Sequence, residues 1–226
     1  MFQWRKMSTL SNVSNPRGGS DPPTSDLSLV SPPKIQKGVS VEYAQDDNKE
    51  WFVLRVTYNR ITKACELLRE VNIEYYFPQH HVQKIVKGRK KRVLEPFLPN
   101  LIFVYSTKES IYSFIKKNPR NNFINFYYNH FKEEGDRNPP LVVGYREMMN
   151  FIKVTSVDNE HIRIVNPGQC HYKNGDIVRV MEGNFAGVEG RVARGAGQQR
   201  VVIEIAGVCT IVTAYIPSSF LEVQQE

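Results

Sequence analysis

The chain has 226 residues, of which 41% are hydrophobic and 23% are charged, as is ordinary for a globular protein. No segment approaches the roughly 18 uncharged apolar residues of a membrane-spanning helix, and the first ten residues lack the apolar core of a secretory signal, so we expect a cytoplasmic protein without membrane contact. The three cysteines are widely separated and form no CxxC pair, which argues against a disulfide framework and a zinc site.

The net charge of +7 is concentrated in the middle of the chain. Residues 1–48 have five basic and five acidic side chains, residues 49–171 have 20 and 12, and residues 172–226 have 5 and 6, so the net charges are 0, +8 and −1. A basic surface attracts a polyanion because bound phosphates release counterions. Charge alone, however, is explained more simply by a solvated face.

The first predicted elements follow a segment rich in Ser, Pro, Asn and Gly. Residues 1–48 bury too little apolar surface to offset their ordering entropy, so they are predicted to be a disordered tail. Residues 51–57 are β-branched and aromatic and predict a strand. The next segment has apolar residues at helical spacing, with Asn59 as a candidate N-cap. A strand at residues 73–79 and a hairpin turning near Gly88 come next.

The following elements complete an N-terminal domain at residues 49–153. Residues 101–106 read LIFVYS, a continuous apolar run that predicts a strand buried on both faces. A helix at 108–118, a strand at 122–128 and a last helix at 145–154 follow. The predicted order is β-α-β-β-β-α-β before the last helix, which is an α+β domain with helices against a mostly antiparallel sheet.

The C-terminal part changes to short strands separated by turn residues. Residues 154–171 are predicted to be a linker, in which HIRIV at 161–165 has the pattern of a weakly paired strand. Five strand patterns follow between residues 176 and 223, divided by glycines and by Pro217. This spacing is typical of a small β-barrel, so residues 172–226 are predicted to form a second domain.

The sharpest local motif is GDIVRVMEGNFAGVEGRV at residues 175–192. Gly183, Gly187 and Gly190 punctuate a loop around Phe185, and glycines permit the positive φ angles of tight loops. The motif resembles the KOW motif of SH3-like barrels, which occurs in transcription elongation factors and in ribosomal proteins. The plain alternative is a generic barrel with glycine turns.

Residues 51–226 as a whole resemble the NusG family of transcription elongation factors, which have an NGN domain, a linker and a KOW domain. The resemblance is carried by WFVLRVTYNRITKACELLRE, by EPFLPNLIFV, which is similar to the family's LFPGYVFV segment, and by the KOW motif. Asn100 stands where most general members have Gly. With the preceding IVKGRKKRVLEP, this Pro-Asn pair is more similar to the specialised RfaH-type and UpxY-type antiterminators of surface-polysaccharide operons.

The resemblance implies that the NGN domain docks on RNA polymerase through an apolar surface. The residues that match the docking segment are Phe97, Leu98, Pro99, Leu101 and Phe103. Alternation places Leu101 and Phe103 on one face of a strand and Ile102 on the other, and it leaves open which face belongs to the core.

Two groups of side chains are predicted to contact upstream or non-template DNA. The first lies on the hairpin and consists of Lys84, Lys87, Arg89, Lys90, Lys91 and Arg92. These cations attract phosphate, which positions a protein without specifying sequence; a merely solvated hairpin is the alternative. The second surrounds the start of the first helix and consists of Tyr58, Asn59, Arg60 and Lys63. RfaH-type proteins recognise an exposed DNA strand with this region. Thr57, Leu67 and Glu70 depart from the RfaH-type pattern, so we do not predict that this protein recognises the same DNA sequence.

For the KOW domain, the resemblance implies a protein partner such as a termination factor or a ribosomal protein. Phe185 is the candidate contact, with a core role as the alternative, and β-branched strands argue against refolding into helices. The histidines are scattered and no catalytic, metal or cofactor motif is visible. We expect a monomeric, non-enzymatic factor that suppresses pausing and termination. The alternative is a KOW-containing RNA-binding or ribosome-associated protein.

Overall fold

The computed structural model describes residues 43–130, 138–165, 175–195 and 198–224, so the predicted disorder of residues 1–42 lies outside the described residues. Residues 43–48, which the tail prediction included, belong to the fold. The Tyr43 ring is buried and packs edge-on against Trp51, with ring centroids 5.0 Å apart. The backbone carbonyl oxygen of Tyr43 accepts a hydrogen bond of 2.6 Å from the Tyr145 hydroxyl. The first domain is therefore anchored before its predicted start at residue 49.

The first domain contains seven strands and three helices in its described part. In chain order they are β1 (Glu50–Val56), α1 (Ile61–Glu70), β2 (Glu74–Tyr76), β3 (Gln79–Val86), β4 (Arg89–Pro96), β5 (Leu101–Ser106), α2 (Lys108–Lys117), β6 (Ile124–Phe126), β7 (Val142–Val143) and α3 (Tyr145–Thr155). Among the described residues, no helix is long and apolar enough to cross a membrane. Between the first two helices the structure has four strands, which correspond to the predicted strand at residues 73–79, the two arms of the predicted hairpin and the predicted strand at residues 101–106, one more than the predicted order counts. The strand predicted at residues 73–79 ends at Tyr76, and Gln79 belongs to β3, which pairs with β4.

The main sheet is antiparallel and is covered on both faces. Its strands pair in the order β2-β5-β1-β6, and β7 pairs with β1. On one face Ile102 and Val104 pack with the apolar sides of α1 and α2. On the other face Phe103 packs on Phe151 of α3, with ring centroids 5.2 Å apart. The prediction that residues 101–106 form a strand buried on both faces is confirmed.

The hairpin formed by β3 and β4 is a two-stranded ribbon outside the main sheet. Lys87 and Gly88 have φ angles of 51° and 74°, which is the combination that a tight type I′ hairpin turn requires. The predicted turn at Gly88 is confirmed.

The turn before α1 differs from the prediction. Asn59 is not the N-cap; that position belongs to Arg60, whose side chain makes no capping bond. Tyr58 and Asn59 have φ angles of 59° and 54°, whereas an N-cap residue typically has β-region backbone angles. Left-handed backbone at a residue other than glycine costs about 1–3 kcal/mol and is most often found at functional sites.

The second domain is a six-stranded antiparallel sheet. Its strands are β8 (Arg163–Val165), β9 (Ile177–Val180), β10 (Glu189–Gly195), β11 (Gln198–Ile205), β12 (Cys209–Val212) and β13 (Leu221–Val223), and they pair in the order β13-β9-β10-β11-β12-β8. All five strand patterns predicted between residues 176 and 223 are found. The β8 strand lies in the predicted linker and pairs with β12.

Two of the three glycines in the KOW-like motif serve the loop and one serves the sheet. Gly183 and Gly187 both have a φ angle of 81°, which glycine adopts without strain. Gly190 lies in β10, where an added Cβ atom would be 2.4 Å from the Val202 carbonyl oxygen. The close approach of β10 and β11 therefore requires a residue without a side chain there.

The two domains touch through α3, a contact that the sequence left undetermined. One hydrophobic cluster contains Phe151 of α3 together with Val188 and Ile203 of the second domain. Beside this cluster, the Asn150 side-chain oxygen accepts a hydrogen bond of 3.1 Å from the Glu189 backbone N–H. The domains are thus joined by a shared apolar core and by polar contacts at its edge.

Candidate functional site

The predicted apolar contact residues separate into two groups by burial. Phe103 is 0% exposed and Leu98 is 8% exposed, so both belong to the core and neither side chain is available to a partner in this conformation. This corrects the predicted set. Phe97 and Leu101 are half-buried and Pro99 is exposed. These three residues, which we call the apolar rim, remain as the candidate docking surface.

The apolar rim is held in place by contacts at the base of the ribbon. The Phe97 ring stacks on the His80 imidazole, with centroids 4.2 Å apart and planes 20° apart. Burial lowers the pKa of His80, so the neutral ring is favoured beside the apolar side chain. Asn100 has a φ angle of 64°, a region that Asn tolerates better than most residues, so this turn does not require Gly. No pattern in the sequence indicated His80 for this role.

The cations of the ribbon form two classes. Two of them are paired with acids, since Lys84 contacts Glu95 and Arg92 contacts Asp158. The remaining four are exposed and have no ion-pair partner among the residues that the structure describes: Lys87, Arg89, Lys90 and Lys91. The sequence treated the six as one group, because the acids that separate them lie elsewhere along the chain.

A cavity of about 910 Å³ lies between the base of the ribbon and the segment that leads into β8. Arg92 and His81 both reach Asp158 there, with His81 Nδ1 3.4 Å from the carboxylate. The hydrogen bond from Arg92 holds the pKa of Asp158 below its usual value. These contacts tie the ribbon to the connection between the two domains.

The second predicted group lies on the strained turn before α1. Tyr58 is 82% exposed, and the Arg60 guanidinium lies 5.8 Å from the centre of its ring. Lys63 is engaged with Glu66, with Nζ 3.0 Å from the carboxylate. The N–H of Val56 donates to the carbonyl of Asn100. The turn with Tyr58 therefore lies beside the loop that carries part of the apolar rim.

Phe185 is 7% exposed and belongs to the hydrophobic cluster shared by the two domains. The alternative core role is therefore the one found in this conformation. The loop that carries it contacts α3, since Lys153 Nζ lies 3.4 Å from the Gly187 carbonyl oxygen. Burial lowers the pKa of Lys153 at this contact.

Burial governs the two described cysteines. Burial raises the pKa of Cys65 to about 11 and that of Cys209 to about 12, so both thiols are weak nucleophiles. Within the described ranges, no three His, Cys, Asp or Glu side chains are placed to hold a metal ion. What the arrangement offers is an apolar rim, an exposed aromatic turn and a row of unpaired cations.

Residues 49–152 match the family model described as transcription termination factor nusG. The matched segment runs from the start of β1 into α3 and includes the ribbon, the apolar rim and the turn with Tyr58. The second domain lies outside it. No curated protein matches the chain. The match supports membership of the NusG family, through the domain that carries all of these surfaces.

Proposed function

We propose that this protein is a NusG-type transcription elongation factor that binds RNA polymerase through its first domain and suppresses pausing and termination. The match of residues 49–152 to the NusG family carries the proposal. The domain acts by binding, without chemistry or a cofactor. By occupying the polymerase across its cleft, it favours the closed, elongating form.

The apolar rim is the proposed polymerase contact. Phe97 and Leu101 are half-buried, so each presents apolar area on a side chain that the fold already holds in place. Partly pre-ordered apolar anchors lose little entropy on binding, which makes them effective contacts. Exposed Pro99 adds a rigid element between them.

The turn with Tyr58 is the proposed contact for an unpaired DNA strand. An exposed aromatic ring offers a base a stacking surface, and a neighbouring guanidinium adds attraction to phosphate. Tyr58 and Arg60 supply this pair, while Asn59 offers amide donors and acceptors. Lys63 would join them only by leaving Glu66.

The second domain is proposed to be an SH3-like barrel of KOW type that binds a protein partner, such as a termination factor or a ribosomal protein. Its net charge of −1 over residues 172–226 suits a protein better than a nucleic acid. Phe185 takes part in such a contact only after its loop leaves α3. The Pro-Asn pair and the basic ribbon support a specialised RfaH-type or UpxY-type antiterminator, acting on operons such as those for surface polysaccharides.

The proposal is tested by co-elution of the full chain with a bacterial RNA polymerase elongation complex. Retention that survives moderate salt is expected, because apolar contacts are little screened. The double variant Phe97→Ser, Leu101→Ser should lose retention, whereas Val142→Ser, on the same domain with a side chain 43% exposed, should keep it. Equal retention of both variants would remove the apolar rim from the proposal.

The alternative function is that of a KOW-containing RNA-binding or ribosome-associated protein. It predicts no retention on the elongation complex, but binding to ribosomal particles or free RNA that disappears as salt rises. The same column experiment, run with ribosomes in place of polymerase, separates the two functions.

A further inference from the structure

The tip of the ribbon is a strongly cationic feature of the described chain. Between residues 83 and 92 there is no acidic residue, and two of the six cations, Lys84 and Arg92, are neutralised by Glu95 and Asp158. The four at the tip, Lys87, Arg89, Lys90 and Lys91, are exposed and unpaired among the described residues. A net charge of +4 thus projects on a ribbon that pairs with no other strand.

Charge and an aliphatic group occur together on this tip. Ile85 is 75% exposed and lies directly opposite Lys90 in the ribbon. Because side chains alternate along a strand, Arg89 and Lys91 lie on the face opposite to that of Lys90. Both faces of the tip are therefore cationic, and one also carries a large exposed aliphatic side chain.

We propose that the tip of this ribbon enters the major groove of duplex DNA, with its four unpaired cations on the phosphates of both walls and Ile85 against the base edges. A groove has phosphates on two sides, which matches cations on two faces. The major groove is about 12 Å wide and admits a two-stranded ribbon, whereas the minor groove is about 6 Å wide and takes protein strands where the DNA is bent or kinked. Apolar side chains in the major groove contact the methyl group of thymine.

The tip is unsuited to single strands, because residues 83–92 include no aromatic side chain on which an unpaired base could stack. That chemistry belongs to the turn with Tyr58, so the two DNA surfaces of the domain differ in kind. The inference rests on the proposed function only in placing the protein beside DNA. Binding measured without polymerase therefore tests it separately.

The test is the salt dependence of binding to a fluorescent DNA duplex of about 20 base pairs, measured by anisotropy with the full chain and no polymerase. Four phosphate contacts predict a slope of log K against log salt of about −3.6. Each of Lys87→Gln, Lys90→Gln and Lys91→Gln should reduce the slope by about 0.9. Lys84→Gln is the matched control on the partner strand, directly opposite Lys91, and should leave the slope unchanged, because Lys84 is already paired with Glu95.

Ile85→Ser tests the proposed apolar contact between the tip and the base edges. It should leave the slope unchanged and weaken the affinity extrapolated to 1 M salt by about fivefold, as expected for losing part of one aliphatic contact. All variants should unfold at the same temperature as the parent, since the side chains are exposed. Equal effects of Lys84→Gln and Lys90→Gln, an unaltered affinity for Ile85→Ser, or a change in slope for Lys90→Gln that is as large on a single strand of the same length as on the duplex would each overturn the proposal. Loss of polymerase retention with intact duplex binding would instead contradict the proposed function alone.

Discussion

Asn150→Ala should open the contact between the two domains at one identifiable hydrogen bond. Asn150 is 8% exposed, and its side-chain oxygen accepts the Glu189 N–H at 3.1 Å. Without that acceptor the N–H loses its partner in a place that water reaches only in part, because Glu189 is half-buried. We expect a cost of about 1–2 kcal/mol, in the lower part of the range for an unsatisfied buried group. That cost corresponds to about 5- to 30-fold in an equilibrium constant.

Amide hydrogen exchange at Glu189 measures this effect directly. Under conditions where exchange reports the opening equilibrium, the Glu189 amide should exchange about 5- to 30-fold faster in the variant. The matched control is Arg146→Ala. Arg146 Nε lies 2.9 Å from the Glu189 carboxylate, but its side chain is 81% exposed, and exposed ion pairs contribute only about 0.2–1 kcal/mol. The control should therefore change exchange by less than the main variant, while amides in β1 stay equally protected in both.

Two results would refute this reasoning. If Arg146→Ala accelerated exchange at Glu189 as much as Asn150→Ala, the exposed ion pair and not the buried hydrogen bond would hold the domains together. If neither variant changed exchange there, the apolar cluster around Phe151 would be sufficient on its own.

Three further predictions concern the first domain and its link to the ribbon. Phe103→Ala should lower the free energy of unfolding, measured in urea, by about 3–5 kcal/mol, because the ring is fully buried. A loss as small as that expected for an exposed side chain would contradict its core position. Thr155→Val should cost more than Tyr76→Phe, about 1–3 against about 1 kcal/mol. It leaves the buried Tyr76 hydroxyl, now 2.6 Å from Thr155 Oγ1, with only the longer bond of 3.3 Å to Ser156 Oγ, whereas Tyr76→Phe leaves Thr155 its bond of 2.7 Å to the Phe151 carbonyl oxygen. Equal losses in urea titrations would count against this. The pKa of Asp158 is lowered in the folded protein, so its tether to Arg92 stabilises the fold at pH values above the ordinary carboxyl pKa of 3.8. This stabilisation is lost as the pH falls through the lower folded pKa. Arg92→Gln should raise that pKa in a carboxyl NMR titration, and an unmoved pKa would exclude the tether.

The features predicted correctly depend on neighbours in sequence. The helical spacing around Ile61 and Leu68, the Lys87-Gly88 turn and the apolar run of β5 each contain their own signal. Local pattern is sufficient there because the hydrophobic period and the turn chemistry act within a few residues. The predicted N-cap at Asn59 shows where local pattern fails. Asn is a good capping residue, but here it takes part in a left-handed turn with its neighbour Tyr58 and is not the N-cap.

The features that the sequence could not reveal depend on residues far apart. The alternation that puts Leu101 and Phe103 on one face cannot say that α3 covers Phe103 while Leu101 stays half-exposed. Likewise, the partner of Arg92 lies 66 residues away at Asp158. Dividing the basic hairpin into paired and unpaired cations therefore required the tertiary structure.

The position of β8 has a consequence for cutting the chain into pieces. Residues 163–165 cover the outer edge of β12, with Ile164 opposite Ile211. A fragment that began at residue 172 would uncover a short edge rich in β-branched residues, and such edges pair with other chains. That fragment should associate with itself or aggregate, whereas one that began at residue 160 would keep its own edge covered. The sheet of the second domain thus includes residues of the predicted linker.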